Sequence, residues 1–319
     1  LPDLFPAKAS TLDAMVPQAL DDIILKCLQR DPAHRFANTD EIKDKILELL
    51  KGAHLGNAQK ERALKGITSV LEKNMLLDVI KETRFGAVYL FENKPSKKLL
   101  VIKKVMRKKD GLREAQLLAT LKHPSIVDIF GVSHDKDAFI VVMEYLAGGT
   151  LKERLARALP WREALSIARE IAQALSFAHR NRILHGNLRP SNVLFTATGE
   201  VRVTDFGLNE HYAVEEGNWY GTPGEEPSRR GDLFALGTML FEMIAANRPL
   251  YRDSEPVLND VFKKLPADLK KLVGKMIHKK SIERFETVDE ALVLMDELLT
   301  PAKQPSTDKK KKGFWSFFS

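Results

Sequence analysis

Apolar residues recur along this chain in two rhythms. Between Trp161 and Asn181, the positions Ala164, Ile167, Ala168, Ile171, Ala172, Leu175 and Ala178 fall on one face at helical spacing, which predicts a long amphipathic helix. Upstream the rhythm shortens. β-rich runs at Leu76–Lys81, Ala87–Phe91 and Leu99–Val105 precede a helical run from Leu112 to Lys122, and strand-like runs return at Ile126–Val132 and Ala138–Tyr145. After Gly148-Gly149 the pattern is mostly helical. Residues 74–300 therefore read as a strand-rich lobe of about 70 residues followed by a helix-rich lobe of about 150.

One pattern occurs twice. Val16–Ile46 aligns without a gap onto Leu265–Met295 at a constant offset of 249 positions, matching Pro17 to Pro266, Leu20 to Leu269, Lys26 to Lys275, Arg35 to Arg284, Phe36 to Phe285, Asp40 to Asp289 and Glu41 to Glu290. Each copy reads as an amphipathic helix, a turn carrying Arg-Phe, and a second helix begun by Asp-Glu, where acidic side chains suit the helix dipole. The larger unit is expected to have occurred twice, with residues 1–50 the end of the first copy; so short a helical piece lacks the surface to build a core alone. Residues 51–73 are charged and contain Gly52, Gly56 and Gly66, with a helical pattern around Ala58–Leu71. They read as a partly helical linker. The start at Leu1, without methionine or a signal-peptide pattern, suggests a fragment.

Composition narrows the class. With 319 residues, 44% apolar and 29% charged, the chain is neither collagenous nor disordered throughout. Its longest apolar stretch, Leu233–Ala246, is interrupted by Glu242 and falls short of the roughly 20 residues a bilayer-spanning helix needs. Cys27 is the sole cysteine, so folding requires no oxidising compartment and a cytoplasmic location is expected. Of the net charge of +7, the five lysines of the tail against Asp308 account for +4. The remaining +3 argues against a nucleic-acid face. In that tail, Lys309–Lys312 stand beside Phe314, Trp315, Phe317 and Phe318. This suits an anionic membrane surface, the inner membrane face being the candidate, although a solvated tail and the flank of a truncated membrane helix are competing readings.

Lys103, Glu114, His185–Asn192, Asp205-Phe206-Gly207 and Asp232–Gly237, in that order between Asn74 and Leu299, give the chain its chemistry, and together these motifs resemble the eukaryotic-type Ser/Thr protein kinase family. Val101-Ile102-Lys103, 17 residues after Gly86, looks like the strand bearing the phosphate-binding lysine, and Arg113-Glu114-Ala115 like the helix whose glutamate pairs with it. Met143-Glu144-Tyr145-Leu146 looks like the gatekeeper and hinge that meet an adenine ring, with Val88, Val101 and Leu194 as apolar plates. His185-Gly186-Asn187-Leu188-Arg189-Pro190-Ser191-Asn192 stands where the catalytic loop belongs, and Asp205-Phe206-Gly207 follows 13 residues after Asn192. His185 and Phe206 would stack with Leu118 in an apolar column. Asp232–Gly237 resembles the central helix that anchors the loop.

The resemblance implies an α+β bilobal fold, with an antiparallel sheet lobe and a helical lobe. It also implies ATP as cofactor, held by Lys103 oriented by Glu114, and Mg²⁺ held by the oxygens of Asn192 and Asp205. Four departures point to an impaired homologue. Asn187 occupies the position of the general-base aspartate, and losing a base costs about 10² to 10⁴ in rate. Lys81 and Thr83 stand at two of the three glycine positions of the phosphate loop, only Gly86 and Val88 surviving. Arg189 replaces the loop lysine. The stretch from Gly207 to Asp232 is short and lacks a clear Ala-Pro-Glu, leaving Glu225 or Glu226 to pair with Arg284, and its only hydroxyls up to Gly221 are Tyr212 and Tyr220. Val101, where the family usually has alanine, further crowds the adenine site.

The leading expectation is a pseudokinase with weakened nucleotide binding, acting as a regulatory module beside an upstream kinase domain or another signalling protein. The alternatives are a slow Ser/Thr kinase and a nucleotide-free scaffold recruited to membranes.

Overall fold

The computed structural model describes residues 8–12, 18–50, 73–83, 86–106, 119–135, 138–207, 220–221, 226–252, 255–257 and 259–300. Five antiparallel strands, β1 (Asn74–Thr83), β2 (Gly86–Asn93), β3 (Leu99–Met106), β4 (Ile129–Asp135) and β5 (Ala138–Glu144), form one sheet in the order β1-β2-β3-β5-β4. Alternation along β3 splits its side chains between two faces. Ile102 joins Tyr89, Phe91 and Ile140 in one buried cluster, whereas Val101 and Val105 pack on the side of Val141 and Met143, against the core of the helical half.

That half is built on α5 (Trp161–Arg180) and α6 (Arg229–Ala245), with α4 (Leu151–Arg154) preceding them. The single-faced stripe of α5 is buried as its spacing predicts. The α6 helix is apolar around its whole circumference because it is enclosed on all sides, Asp232–Phe241 being buried without interruption. Gly237 permits the tight crossing with α8 (Ala267–Met276): a Cβ there would stand 2.6 Å from Met276 Cβ and 2.8 Å from Ile277 Cγ2. α9 (Val288–Leu299) starts with a capping box between Thr287 and Glu290 and packs on α5. The α+β bilobal fold expected from the motifs is the one observed.

The structure also corrects details. Ile126 lies outside β4 and instead makes an isolated parallel bridge to Val203, and β4 begins at Ile129 with an irregularity before Gly131. The mostly helical second half contains two small hairpins, β6 (Val193–Phe195) with β7 (Val201–Val203), and β8 (Leu250–Arg252) with β9 (Glu255–Val257), followed by α7 (Asp260–Lys263). Most of the 112–122 helix, the linker helix and the tail lie outside the described residues.

The internal repeat holds element by element. After α1 (Ala9–Leu12), the helices α2 (Gln18–Cys27) and α3 (Thr39–Leu50), with the 3-10 turn Pro32–His34 between them, reproduce α8, the turn Ser281–Glu283 and α9 at the same offset. Their bonding repeats too. Arg284 donates from Nε to His278 O at 2.7 Å and from Nη2 to Lys279 O, and Arg35 makes the equivalent bonds to Gln29 O, also 2.7 Å, and Arg30 O. Lys275 stands 4.3 Å over the Phe285 ring and Lys26 stands 4.2 Å over that of Phe36.

Candidate active site

The register of the sheet carries Lys103 to the cleft. Cross-strand partners share a face, so Val88 opposite Lys103, and Lys103 opposite Val141, line the same side as Val101 and its partner Met143. From this face Lys103 Nζ reaches Asp205 Oδ2 at 2.6 Å, bridging 102 residues of sequence. Both side chains are largely buried, at 13% and 17% exposure. Burial pushes the Asp205 carboxyl up, but the adjacent Lys103 ammonium, with His185 and Arg189 behind it, outweighs this and holds it below the usual carboxylate range. Asp205 adopts φ +68°, a left-handed conformation that aspartate tolerates better than most residues and that Lys97, Arg182 and Ala246 also adopt.

The loop beneath is assembled around one carboxylate. Asp232, 2% exposed, accepts from His185 N at 2.9 Å and Gly186 N at 2.8 Å, while His179 Nε2 lies 2.8 Å from its Oδ2. Asn192 donates from Nδ2 to Asn187 O at 2.9 Å, and its backbone carbonyl accepts from Thr204 N, so the two loops move as one. This leaves Asn192 Oδ1, which accepts a 3.4 Å bond from Ser191 Oγ, as a hard oxygen on a loop joined by backbone to the residue before Asp205. Two oxygen donors on joined loops fit Mg²⁺, which completes its octahedron with water and phosphate oxygens.

His185 is fully buried and stacks on Phe206 with ring centroids 4.7 Å apart; its Nδ1 accepts from Asn187 N. Burial lowers its pKa below the ordinary imidazole value. The native state thus keeps His185 neutral while the unfolded chain protonates it below about 6.5. The unfolded state then binds the extra proton, so stability falls as pH drops below that value. We expect denaturant titrations between pH 7 and 5 to show this loss, and His185→Gln to flatten it; an unchanged slope in that variant would assign the effect to other groups.

Two hollows flank the pair. One, a small hollow of about 20 Å³, is lined among others by Leu121, Val141, Met143, Thr204, Asp205 and Phe206. Asn187, 8% exposed, borders the other, also of about 20 Å³, with Leu188, Tyr220, Glu226, Ser228 and Asp232. The Tyr220 hydroxyl donates to Glu242 at 2.5 Å, and burial together with that carboxylate raises its pKa.

The other expected site residues divide. Leu146 and Leu194 pack at the margin of the main core, as Val101 does. Gly86 pairs with Thr83, so strand pairing runs to the tip of the hairpin that should cover phosphates. Arg189 is buried, with Asp205 within its electrostatic reach. The Glu144 side chain turns elsewhere, accepting from Asp128 N at 2.9 Å and pairing with Arg202 at 3.7 Å. A carboxylate next to an unfilled backbone donor takes that bond, so only the backbone of this segment is left to meet a base. Glu114, Leu118 and Glu225 lie outside the described residues. Arg284 is buried among the carbonyls of His278, Lys279 and Arg230. His179 was not anticipated from sequence.

The description "Protein kinase domain" matches residues 77–306. The serine/threonine-protein kinase PrkC of Bacillus subtilis is 30% identical over 211 residues, covering 56% of this chain and 32% of that protein. PknB of Mycobacterium leprae is 32% identical over 162 residues, covering 44% and 26%. The matched stretch is thus about a third or less of these relatives' length. The PknI kinase domain of Mycobacterium tuberculosis superposes with a TM-score of 0.59 at 22% identity, over 70% of this chain and 96% of that one.

Proposed function

Since the chain belongs to the protein kinase domain family, we propose that it is a pseudokinase, a nucleotide-binding regulatory module of Ser/Thr kinase signalling, with residues 1–50 belonging to the helical lobe of a second such unit. The observation that carries this reading is the contrast within one cleft. The Lys103–Asp205 pair that would grip a metal-bound triphosphate is in place, while a carboxamide, Asn187, borders the hollow where a substrate hydroxyl would lose its proton. An amide orients such a hydroxyl but does not accept its proton.

When bound, Mg²⁺ would neutralise phosphate charge. Asp205 and Asn192 would hold it, Lys103 would orient the phosphates, and Val88, Val101 and Leu194 would clamp the base. Mg-ATP at 100 times its dissociation constant should stabilise the protein by about 2.7 kcal/mol, or a melting shift of roughly 5–10 °C for a domain of this size. Lys103→Ala should abolish most of that shift. A shift that survives the substitution refutes this placement of the nucleotide; no shift in either protein favours the nucleotide-free scaffold.

A slow kinase is the second reading, because phosphoryl transfer rests largely on positioning and charge, and Lys103, Asn192 and Asp205 remain. Phosphorylation of a generic protein by the parent chain that exceeds background and vanishes in Asp205→Ala would establish the slow kinase; Asn187→Asp tests what else is missing. Restoring the base should leave phosphorylation of a generic protein near background, since Lys81 and Thr83 still occupy the phosphate loop's glycine positions. Vigorous transfer by that variant would show instead that Asn187 alone, and not the phosphate loop, keeps the domain inactive.

A further inference from the structure

The two copies of the helical unit are alike in fold and unlike in cover. In the second copy the inward face of α8 and α9 is closed: Leu269, Val273, Met276, Ile277 and Met295 are all 0% exposed, packed against α5 and α6. At the equivalent positions of the first copy, Leu28 is 47% and Ile46 38% exposed, and Leu20, Ile24 and Cys27 are half-buried. The polar fastenings differ in the same sense. Asp289 accepts from Ser176 Oγ at 2.7 Å and Arg180 Nη2 at 2.8 Å, both on α5, whereas its counterpart Asp40 is 80% exposed and pairs with Lys43 of its own helix. Arg284 Nη1 donates to Arg230 O at the start of α6, and its counterpart Arg35 is exposed.

We propose that the face bearing Leu20, Ile24, Cys27, Leu28 and Ile46 is a docking surface for the helical lobe of a second kinase-type unit. This rests on the assignment of residues 1–50 made above. The occupant's chemistry follows from the twin, where the same face at the same offset is seen covered. One helix presents a Ser and an Arg one turn apart to Asp40, as α5 does to Asp289. A second presents a small residue to Cys27 and Leu28, as Gly237 faces Met276 and Ile277, and offers a carbonyl at its start to Arg35. Clustered exposed apolar side chains beside polar groups mark a protein contact surface.

The sole cysteine, Cys27, sits on this face and reports its cover directly. The experiment compares maleimide labelling of Cys27 in the 319-residue chain and in the full product of its gene. Labelling should be rapid in the former and slower by about 100-fold in the latter, as expected for a site reached only through local opening. In the full product, Leu28→Asp should restore rapid labelling. Asp40→Arg, at a position too exposed to affect folding, should raise the rate several-fold. A gene encoding no kinase-like lobe ahead of Leu1, or equal labelling in the two proteins, overturns the proposal. So does a self-associated 319-residue chain whose Cys27 is already protected and is released by Leu28→Asp, because a second copy then covers the face. The Mg-ATP melting shift does not depend on this surface, so failure here leaves the nucleotide reading standing, and the reverse also holds.

Discussion

Replacing Asp232 with alanine is expected to destabilise the domain by about 3–5 kcal/mol, the range for removing one partner of a buried charged network. The carboxylate gathers His185 N, Gly186 N and His179 at 2.8–2.9 Å from a position only 2% exposed. Truncation would leave three donors facing a dry gap, each costing about 1–3 kcal/mol unless water enters. The loop holding Asn187 and Asn192 should loosen with it, so the nucleotide-induced melting shift should shrink together with the melting temperature. Asp232→Asn supplies the comparison: its remaining carbonyl still accepts, so its loss should be about half as large. Calorimetry that found Asp232→Ala within 1 kcal/mol of the parent would show that other groups hold the loop.

A loss of about 3 kcal/mol, near the upper end of the range for overpacking, is expected from Gly148→Ala. The added methyl would meet the Thr196 carbonyl oxygen and lie 2.6 Å from Phe195 O and 2.8 Å from Phe195 C. These are backbone atoms of β6 and its exit, pinned by Gly148 N to Phe195 O at 2.9 Å, by Phe195 N to Gly149 O at 3.0 Å and by pairing with β7. They have nowhere to go. The neighbouring Gly149→Ala is the informative contrast. Gly149 has φ +71°, and its methyl would displace only the end of Glu153, whose carboxylate accepts from Thr150 N at 2.8 Å in a capping box. Its cost should be about 2 kcal/mol, a left-handed alanine plus a weakened cap. Denaturant midpoints that ranked the two the other way would show that backbone conformation outweighs contact at this turn.

The sequence made the architecture legible where one period dominated. The stripe on α5 was readable because only one face is buried, and the five strands because their alternation is short and bounded by turns. It misled at Ile126, which is buried in the main core but joins no strand of the sheet, making only an isolated bridge to Val203. Three-residue hairpins such as β6–β7 are too short for any period to show. Within the site, Lys103 and Asp205 could be linked across 102 residues only through the order of motifs, because nothing local in either segment signals the other. The Glu144 side chain went to Asp128 and Arg202 because neither partner is visible from its own neighbourhood. His179 escaped notice since a histidine at the apolar end of a helix looks like core until the carboxylate beside it is known.

The strut from Lys103 to Asp205 sets the terms on which any anion enters. A triphosphate arriving alone must draw the ammonium away from its partner, stranding the Asp205 charge beside incoming negative oxygens in a site with little water to shield them. A divalent cation, if bound, would ease that conflict by serving as counter-ion to Asp205 while Lys103 met the phosphates. On the nucleotide-binding reading proposed above, the Lys103–Asp205 contact would therefore favour nucleotide and metal arriving together over nucleotide alone.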